Sequence, residues 1–205
     1  MKVLMINGSP LKESNTEIAF KEMCDVFDGE GIRYEIIQVG DKEISGCRAC
    51  GACSKLGKCV KDDIVNEAAL KFKEADALVI GSPVYYASAN GTLISFLDRL
   101  FYSKDFETRM KVGACVCVAR RGGLTATFDE LNKYFTISEM PVASSSYWNQ
   151  IHGTKPGEIA GDEEGLITMR RLARNIVFLM RSIELGKKEY GLPEKEKGKA
   201  TNFIR

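Results

Sequence analysis

Four of the seven cysteines in this 205-residue chain crowd into one stretch, at Cys47, Cys50, Cys53 and Cys59, a spacing of C-x2-C-x2-C-x5-C. Thiolates are soft ligands, and a compact run of them resembles the sequences that hold an iron–sulfur cluster. Three cysteines two residues apart can wrap one face of a cubane, and the fourth arrives after a turn at Gly57. Zinc also accepts four thiolates, but its usual arrangement is two separated C-x2-4-C pairs. Zinc, a disulfide or empty thiols therefore stand as the alternatives to a cluster. Seven is an odd number, so a fully paired disulfide framework within one chain is excluded. Cys24, Cys115 and Cys117 lie apart from the run and read as small core hydrophobes.

Three further stretches carry chemistry at the ends of apolar runs. Residues 9–16 (SPLKESNT) put Ser9, Ser14, Asn15 and Thr16, with Lys12 among them, immediately ahead of a helical pattern. A helix start presents free backbone N–H groups and the positive end of its dipole, which suits a phosphate, although an ordinary capped turn uses the same residue types. There is no G-x-G-x-x-G, so a mononucleotide is favoured over a dinucleotide. Pro83, Val84, Tyr85 and Tyr86 follow a Gly-Ser pair, placing apolar and aromatic side chains where a loop is normally polar. A flat aromatic ligand with polar edges would account for them, as would packing of the tyrosines on a helix or a subunit face. Ala119, Arg120, Arg121, Gly122 and Gly123 combine glycines that permit close backbone approach with arginines that could stabilise a negatively charged reduced ring. A solvated arginine pair is the alternative there.

The elements that must position these loops follow from periodicity. The continuous apolar run at residues 3–6 reads as a parallel strand buried on both faces, residues 34–39, 77–80 and 112–118 as further strands, and residues 142–144 as a weaker fifth. Helical spacing appears from Asn15 to the glycines at 29 and 31, from the Asp62-Asp63 cap to about Glu74, through Leu93, Phe96, Leu97 and Leu100, after Gly123 to about Tyr134, and over about 163–185. Alternating strands and helices predict an α/β fold: a flavodoxin-like, doubly wound, five-stranded parallel sheet of strand order 2-1-3-4-5. Residues 1–185 form the expected domain, with a cysteine-rich insert at 44–63. Residues 186–205 are expected to be a tail, packing on a partner subunit through Phe203 and Ile204 or simply frayed. The loop at 145–161 holds Tyr147 and Trp148, readable as a lid over a ligand or as interface packing, and His152, which reads as a loop hydrogen-bonder.

Composition narrows the partners. Lys plus Arg (29) nearly balances Asp plus Glu (28), giving a net charge of +1 and no field for nucleic acid or an anionic membrane surface. No run reaches the length of a membrane helix, and the N-terminal MKVLMINGSP lacks a secretory pattern, so the expected location is cytoplasmic. In a reducing compartment clustered cysteines bind metal or do redox work more often than they form disulfides.

Taken in order, GSPLKESNT, CRACGACSKLGKC followed by VKDD, GSPVYY before a helix and ARRGG after the fourth strand resemble the flavodoxin-fold FMN reductases, specifically the iron–sulfur flavoproteins. The resemblance covers residues 1–185. It implies FMN held by residues 9–16, 83–86 and 119–123, and a [4Fe–4S] cluster held by Cys47, Cys50, Cys53 and Cys59. It also implies a homodimer or homotetramer in which a cluster lies near a neighbouring subunit's flavin. Leu11 and Ser14 stand where relatives often carry Arg and Gly. The activity expected is that of an FMN-dependent oxidoreductase passing electrons between a reduced donor, such as NAD(P)H or a ferredoxin-type protein, and an acceptor. The cofactor carries the redox chemistry, so no acid–base residue is nominated. Two rivals remain: an NAD(P)H-dependent FMN or quinone reductase whose cysteines hold zinc or nothing, and a non-enzymatic flavodoxin-like carrier.

Overall fold

The computed structural model describes residues 1–196, 198, 201 and 203. Five parallel strands, β1 (Lys2–Asn7), β2 (Arg33–Gln38), β3 (Ala77–Tyr85), β5 (Val112–Ala119) and β6 (Gln150–His152), lie in the order β2-β1-β3-β5-β6, with a two-residue β4 (Ser88–Ala89) antiparallel to the end of β3. The helices are α1 (Asn15–Gly29), α2 (Cys53–Leu56), α3 (Ile64–Glu74), α4 (Gly91–Ser103), α5 (Leu124–Thr136) and α6 (Glu163–Tyr190), and a short 3₁₀ turn spans Glu158–Gly161. This is the flavodoxin-like doubly wound sheet of the expectation, its order differing in detail because the short β4 joins β3 as a sixth strand and the outer parallel strand is β6.

Each central strand is apolar on both sides because each side meets helices. Val3 and Met5 of β1, Ala77 and Val79 of β3 and Ala114 and Val116 of β5 pack with α1 and α6. Leu4 and Ile6, Leu78 and Ile80, and Cys115 and Cys117 face α3, α4 and α5. The alternation is the period of two that a pleated strand imposes. Burial also pushes the Cys24 thiol up to about 11 and that of Cys115 well above its ordinary value, so both are inert members of the core.

The structure corrects three boundaries. The fifth strand is Gln150–His152, not residues 142–144. Val142 makes one parallel bridge to Gly113, after which the chain leaves the sheet and returns beside Cys117, Val118 and Ala119. β3 does not stop at Ile80: Gly81, Ser82 and Pro83 stay in register with Val116, Cys117 and Val118. Gly81 is there because a Cβ would lie 2.6 Å from the Phe20 ring and 2.7 Å from the Thr16 methyl, so its absence lets the start of α1 settle onto the sheet. Finally, α6 continues to Tyr190, five residues into the expected tail, across Gly186. Lys and Glu around the glycine are good helix formers, and the Glu184–Lys188 pair spans it at one turn. Of the anchor expected in the tail, Phe203 is exposed and Ile204 lies outside the described residues. Among the described residues no helix is long and apolar enough to cross a membrane.

Candidate functional site

A cleft of about 280 Å³ opens at the carboxyl ends of β1, β3 and β5, the edge where doubly wound sheets bind ligands. Its floor is the β1–α1 loop. Asn7 is buried and its Oδ1 accepts from Ser9 N at 3.0 Å, while Gly8 N donates to Gly81 O at 2.8 Å. From behind, Gln38 Nε2 donates to Ser9 O, and Gly40 packs so close to Gly8 and Ser9 that no Cβ would fit. The loop is therefore clamped before any ligand arrives. Ser14 caps α1 by accepting from Glu17 N, and the first helical bond runs from Ile18 N to Ser14 O. The N–H groups of Asn15 and Thr16 precede that bond, at the positive end of the helix, which is an anion site.

Ser9, Ser14, Asn15 and Thr16 all line the cleft, together with Leu11; Lys12 does not. On the opposite side are Pro83, Val84 and Tyr85 from the end of β3. Tyr86 stands outside, fully exposed at the tip of the β3–β4 hairpin. It and Ala87 form a two-residue turn with φ of 52° and 60°, the geometry of a tight hairpin turn usually given to Asn and Gly. Ala119 and Arg120 complete the wall. Arg121 and Gly122 are exposed and line no part of it, and Gly123, at φ 92°, nests against Ala87 and Val84, so its part is to join the second and third loops.

The cysteine run sits elsewhere, over α4. Cys47, Cys50, Cys53 and Cys59 all line one hollow, which shares no lining residue with the cleft. Left-handed backbone at Ala49, Gly51 and Gly57 curls the chain around it, and the short α2 ends at Gly57 as the spacing requires. All four thiols are free, Cys47 and Cys50 exposed and the other two half-buried. Among the described residues no three His, Cys, Asp or Glu side chains meet as ligands of a single ion. The hollow is backed by Arg99 of α4, whose side chain is 1% exposed. Its Nε and Nη2 donate to Cys59 Sγ at 3.3 and 3.2 Å, and its two terminal nitrogens form a bidentate pair with Asp63 at 2.6 and 2.9 Å.

A helix-start anion site facing an apolar and aromatic wall at a sheet edge suits a flavin mononucleotide, and comparison with known proteins agrees. The family described as NADPH-dependent FMN reductase matches residues 1–155. The chain belongs to the NADPH-dependent FMN reductase family. It is 35% identical over 192 residues to an iron–sulfur flavoprotein of Methanocaldococcus jannaschii, covering 90% of this chain and all of that one. In fold it is similar to an NAD(P)H:quinone oxidoreductase from Methanothermobacter marburgensis (TM-score 0.67, 17% identity, 86% of this chain and 96% of that one). It is also similar to a flavodoxin of Streptococcus pneumoniae TIGR4 (TM-score 0.58, 14% identity, 87% and 99%). As a member of this family the protein is a flavin-dependent oxidoreductase, which sets aside the non-enzymatic carrier.

Sequence reasoning missed one wall of this FMN reductase's cleft. Gly153, Thr154 and Pro156, after β6, line it as well. They are held there by Asn15, whose Nδ2 donates to Lys155 O and whose Oδ1 accepts from Gly157 N, both at 3.0 Å. Glu158 braces the same loop, and the N–H groups of Lys155 and Thr154 hold its carboxyl below the usual range. Tyr147 and Trp148 pack edge-to-face at 4.8 Å and line no part of the cleft. His152 bonds Asp162 through its N–H and faces the same oxygen with Nδ1. Arg99 was missed too: it flanks an apolar helical face, where a charged residue normally points to water.

Proposed function

We propose that this FMN reductase is of the iron–sulfur flavoprotein type, passing electrons between a reduced donor and an acceptor through FMN in the cleft and a [4Fe–4S] cluster on Cys47, Cys50, Cys53 and Cys59. The observation that carries the cluster reading is the gathering of all four cysteines around one hollow backed by a buried cation. Together the two groups supply conversion between two-electron and one-electron transfer. The chain's own contribution is placement and charge. The N–H groups of Asn15 and Thr16, with the hydroxyls of Ser9, Ser14 and Thr16, hold the phosphate. Pro83, Val84, Tyr85 and Ala119 flank the flat ring and keep water from it, and Arg120 offers positive charge as the ring becomes reduced. Four thiolates bring four negative charges to the hollow, and Arg99, paired with Asp63, meets one of them with two N–H donors on Cys59. Cleft and hollow are separate within one chain, so a dimer or tetramer that brings one copy's hollow to another copy's cleft fits this reading.

Anaerobic reductive titration tests it, with absorbance following the flavin and EPR following the cluster. Flavin bleaching should be accompanied by a cluster signal. A preparation with its full complement of iron whose cluster never exchanges electrons with the flavin would sink the reading. A protein purified under strict anaerobiosis with zinc or no metal, yet turning over NAD(P)H rapidly, would instead be a plain FMN or quinone reductase.

A further inference from the structure

We propose that Arg99 is a positioning residue of the cysteine site, fixing Cys59 and raising the reduction potential of the group that Cys59 helps to hold. The inference rests on the cluster reading above. Its starting point is the isolation of the guanidinium: a permanent charge with a side chain 1% exposed has to be compensated inside the protein. Asp63 does so in part, with both carboxylate oxygens on the two terminal nitrogens at 2.6 and 2.9 Å. That pair leaves Nε free, and the geometry directs Nε and Nη2 together at Cys59 Sγ at 3.3 and 3.2 Å. Nη1 also reaches Ser45 O at 3.4 Å and Nη2 reaches Lys61 O at 3.5 Å, so one side chain ties together both ends of the insert. Asp63 is itself fixed, since its Oδ1 also caps α3 by accepting from Val65 N at 3.1 Å.

The consequence is electrostatic as well as geometric. Hydrogen bonds to ligand sulfurs, net charge and burial are the protein's means of setting a cluster's potential. Two N–H groups on one sulfur, from a guanidinium whose charge Asp63 balances in part, stabilise the more negative, reduced state most. Only a planar guanidinium can serve Asp63 bidentately and Cys59 with two donors at once; a lysine retains the charge and loses the fork. Cys47, Cys50 and Cys53 have no comparable donor among the described residues, which singles out Cys59 as the tuned position.

The test compares wild-type protein with Arg99→Lys, Arg99→Met and the double variant Asp63→Asn with Arg99→Met, all reconstituted anaerobically with iron and sulfide. The double variant leaves no stranded carboxylate, and asparagine still caps a helix, so it keeps the test open if Arg99→Met alone fails to fold. FMN bound per chain serves as the folding control. Iron and sulfide per chain and the cluster's midpoint potential are the readouts. The potential should fall in the order wild type, Arg99→Lys, Arg99→Met, with the double variant also below wild type, and a lysine that restores cluster content but not the potential would separate tuning from scaffolding. If wild type and both methionine variants hold full clusters at one potential, the proposal is overturned while the cluster reading stands. A wild-type protein that takes up no cluster overturns both.

Discussion

Asn15 illustrates how much of the flavin site hangs on single side chains. The residue is 8% exposed and its carboxamide spends both of its polar ends on backbone atoms of residues 155 and 157, in the loop that supplies one wall of the cleft. Asn15→Ala removes two hydrogen bonds, each worth about 1 kcal/mol net, and releases that wall. FMN affinity should fall by about tenfold, which is about 1.4 kcal/mol. Asn15→Asp is the sharper test. It keeps the acceptor for Gly157 N but sets a carboxylate beside the N–H groups proposed to hold the phosphate. Its other oxygen meets Lys155 O, acceptor against acceptor, so stability should fall at least as far as in the alanine variant while FMN affinity falls more, and the extra loss of affinity should vanish with riboflavin, which has no phosphate. Fluorescence-quenching titrations with both flavins measure this. If the aspartate variant binds FMN as well as the alanine variant does, the phosphate is not at the start of α1. The type of residue was legible in the sequence as a polar helix start. Its partners were not, because nothing local relates position 15 to a loop some 140 residues later.

At the scale of elements, the long helix α6 depends on a cap that also fastens the last strand. Asp162 Oδ1 accepts from Gly165 N at 2.9 Å, and Oδ2 accepts from His152 N at 2.7 Å. Burial works to raise the carboxyl's pKa, but these N–H groups and the imidazole outweigh it and hold the group below its ordinary 3.8. A carboxyl depressed on folding contributes stability that is fully present above the unfolded value and is lost as pH falls through the folded value. Asp162→Ala should therefore cost about 1 kcal/mol at pH 7, and the gap to wild type should close as pH falls below 3.8. Urea unfolding at pH 7 and pH 3 gives both numbers; an undiminished gap at pH 3 would mean the cap acts through packing and not through its charge. The acidic start of α6 was readable as helix-dipole chemistry. The strand it fastens was not, because Gln150-Ile151-His152 carries one apolar residue in three and has no period to read, whereas residues 142–144 look more strand-like and make only a bridge. The three central strands and α1, α3, α4 and α5 were legible because burial imposes apolar runs on the strands and clear spacing on the helices, while the edge strand β2 showed only as Ile36, Ile37 and Val39 among polar residues. The length of β3 was hidden for the opposite reason: Gly81, Ser82 and Pro83 have the composition of a turn, and only the approach of Phe20 and Thr16 explains a glycine in the strand.

Across the whole molecule, α4 runs between the two sites and touches both through hydrogen bonds. It begins at the Asn90 cap, where Asn90 N donates to Ser82 Oγ at 3.0 Å directly behind the flavin wall, and it carries Arg99 nine residues on, about 13 Å along its axis. Two sites on one rigid helix can be coupled or merely adjacent, and linkage distinguishes these. Bound FMN at 100 times its dissociation constant stabilises the folded chain by about 2.7 kcal/mol. For a protein of this size that raises the unfolding temperature by roughly 5–10 °C. Cys50 lines only the hollow, so Cys50→Ala should leave FMN affinity within about twofold of wild type and the thermal shift unchanged, as expected for sites with no shared partners. Thermal unfolding of apo and FMN-loaded forms of both proteins decides the matter. Equal shifts make the cysteine hollow an independent module docked on a complete flavin fold. A shift cut by half in Cys50→Ala would mean that α4 relays strain from the hollow to Ser82, and that occupancy of the cysteines regulates the flavin.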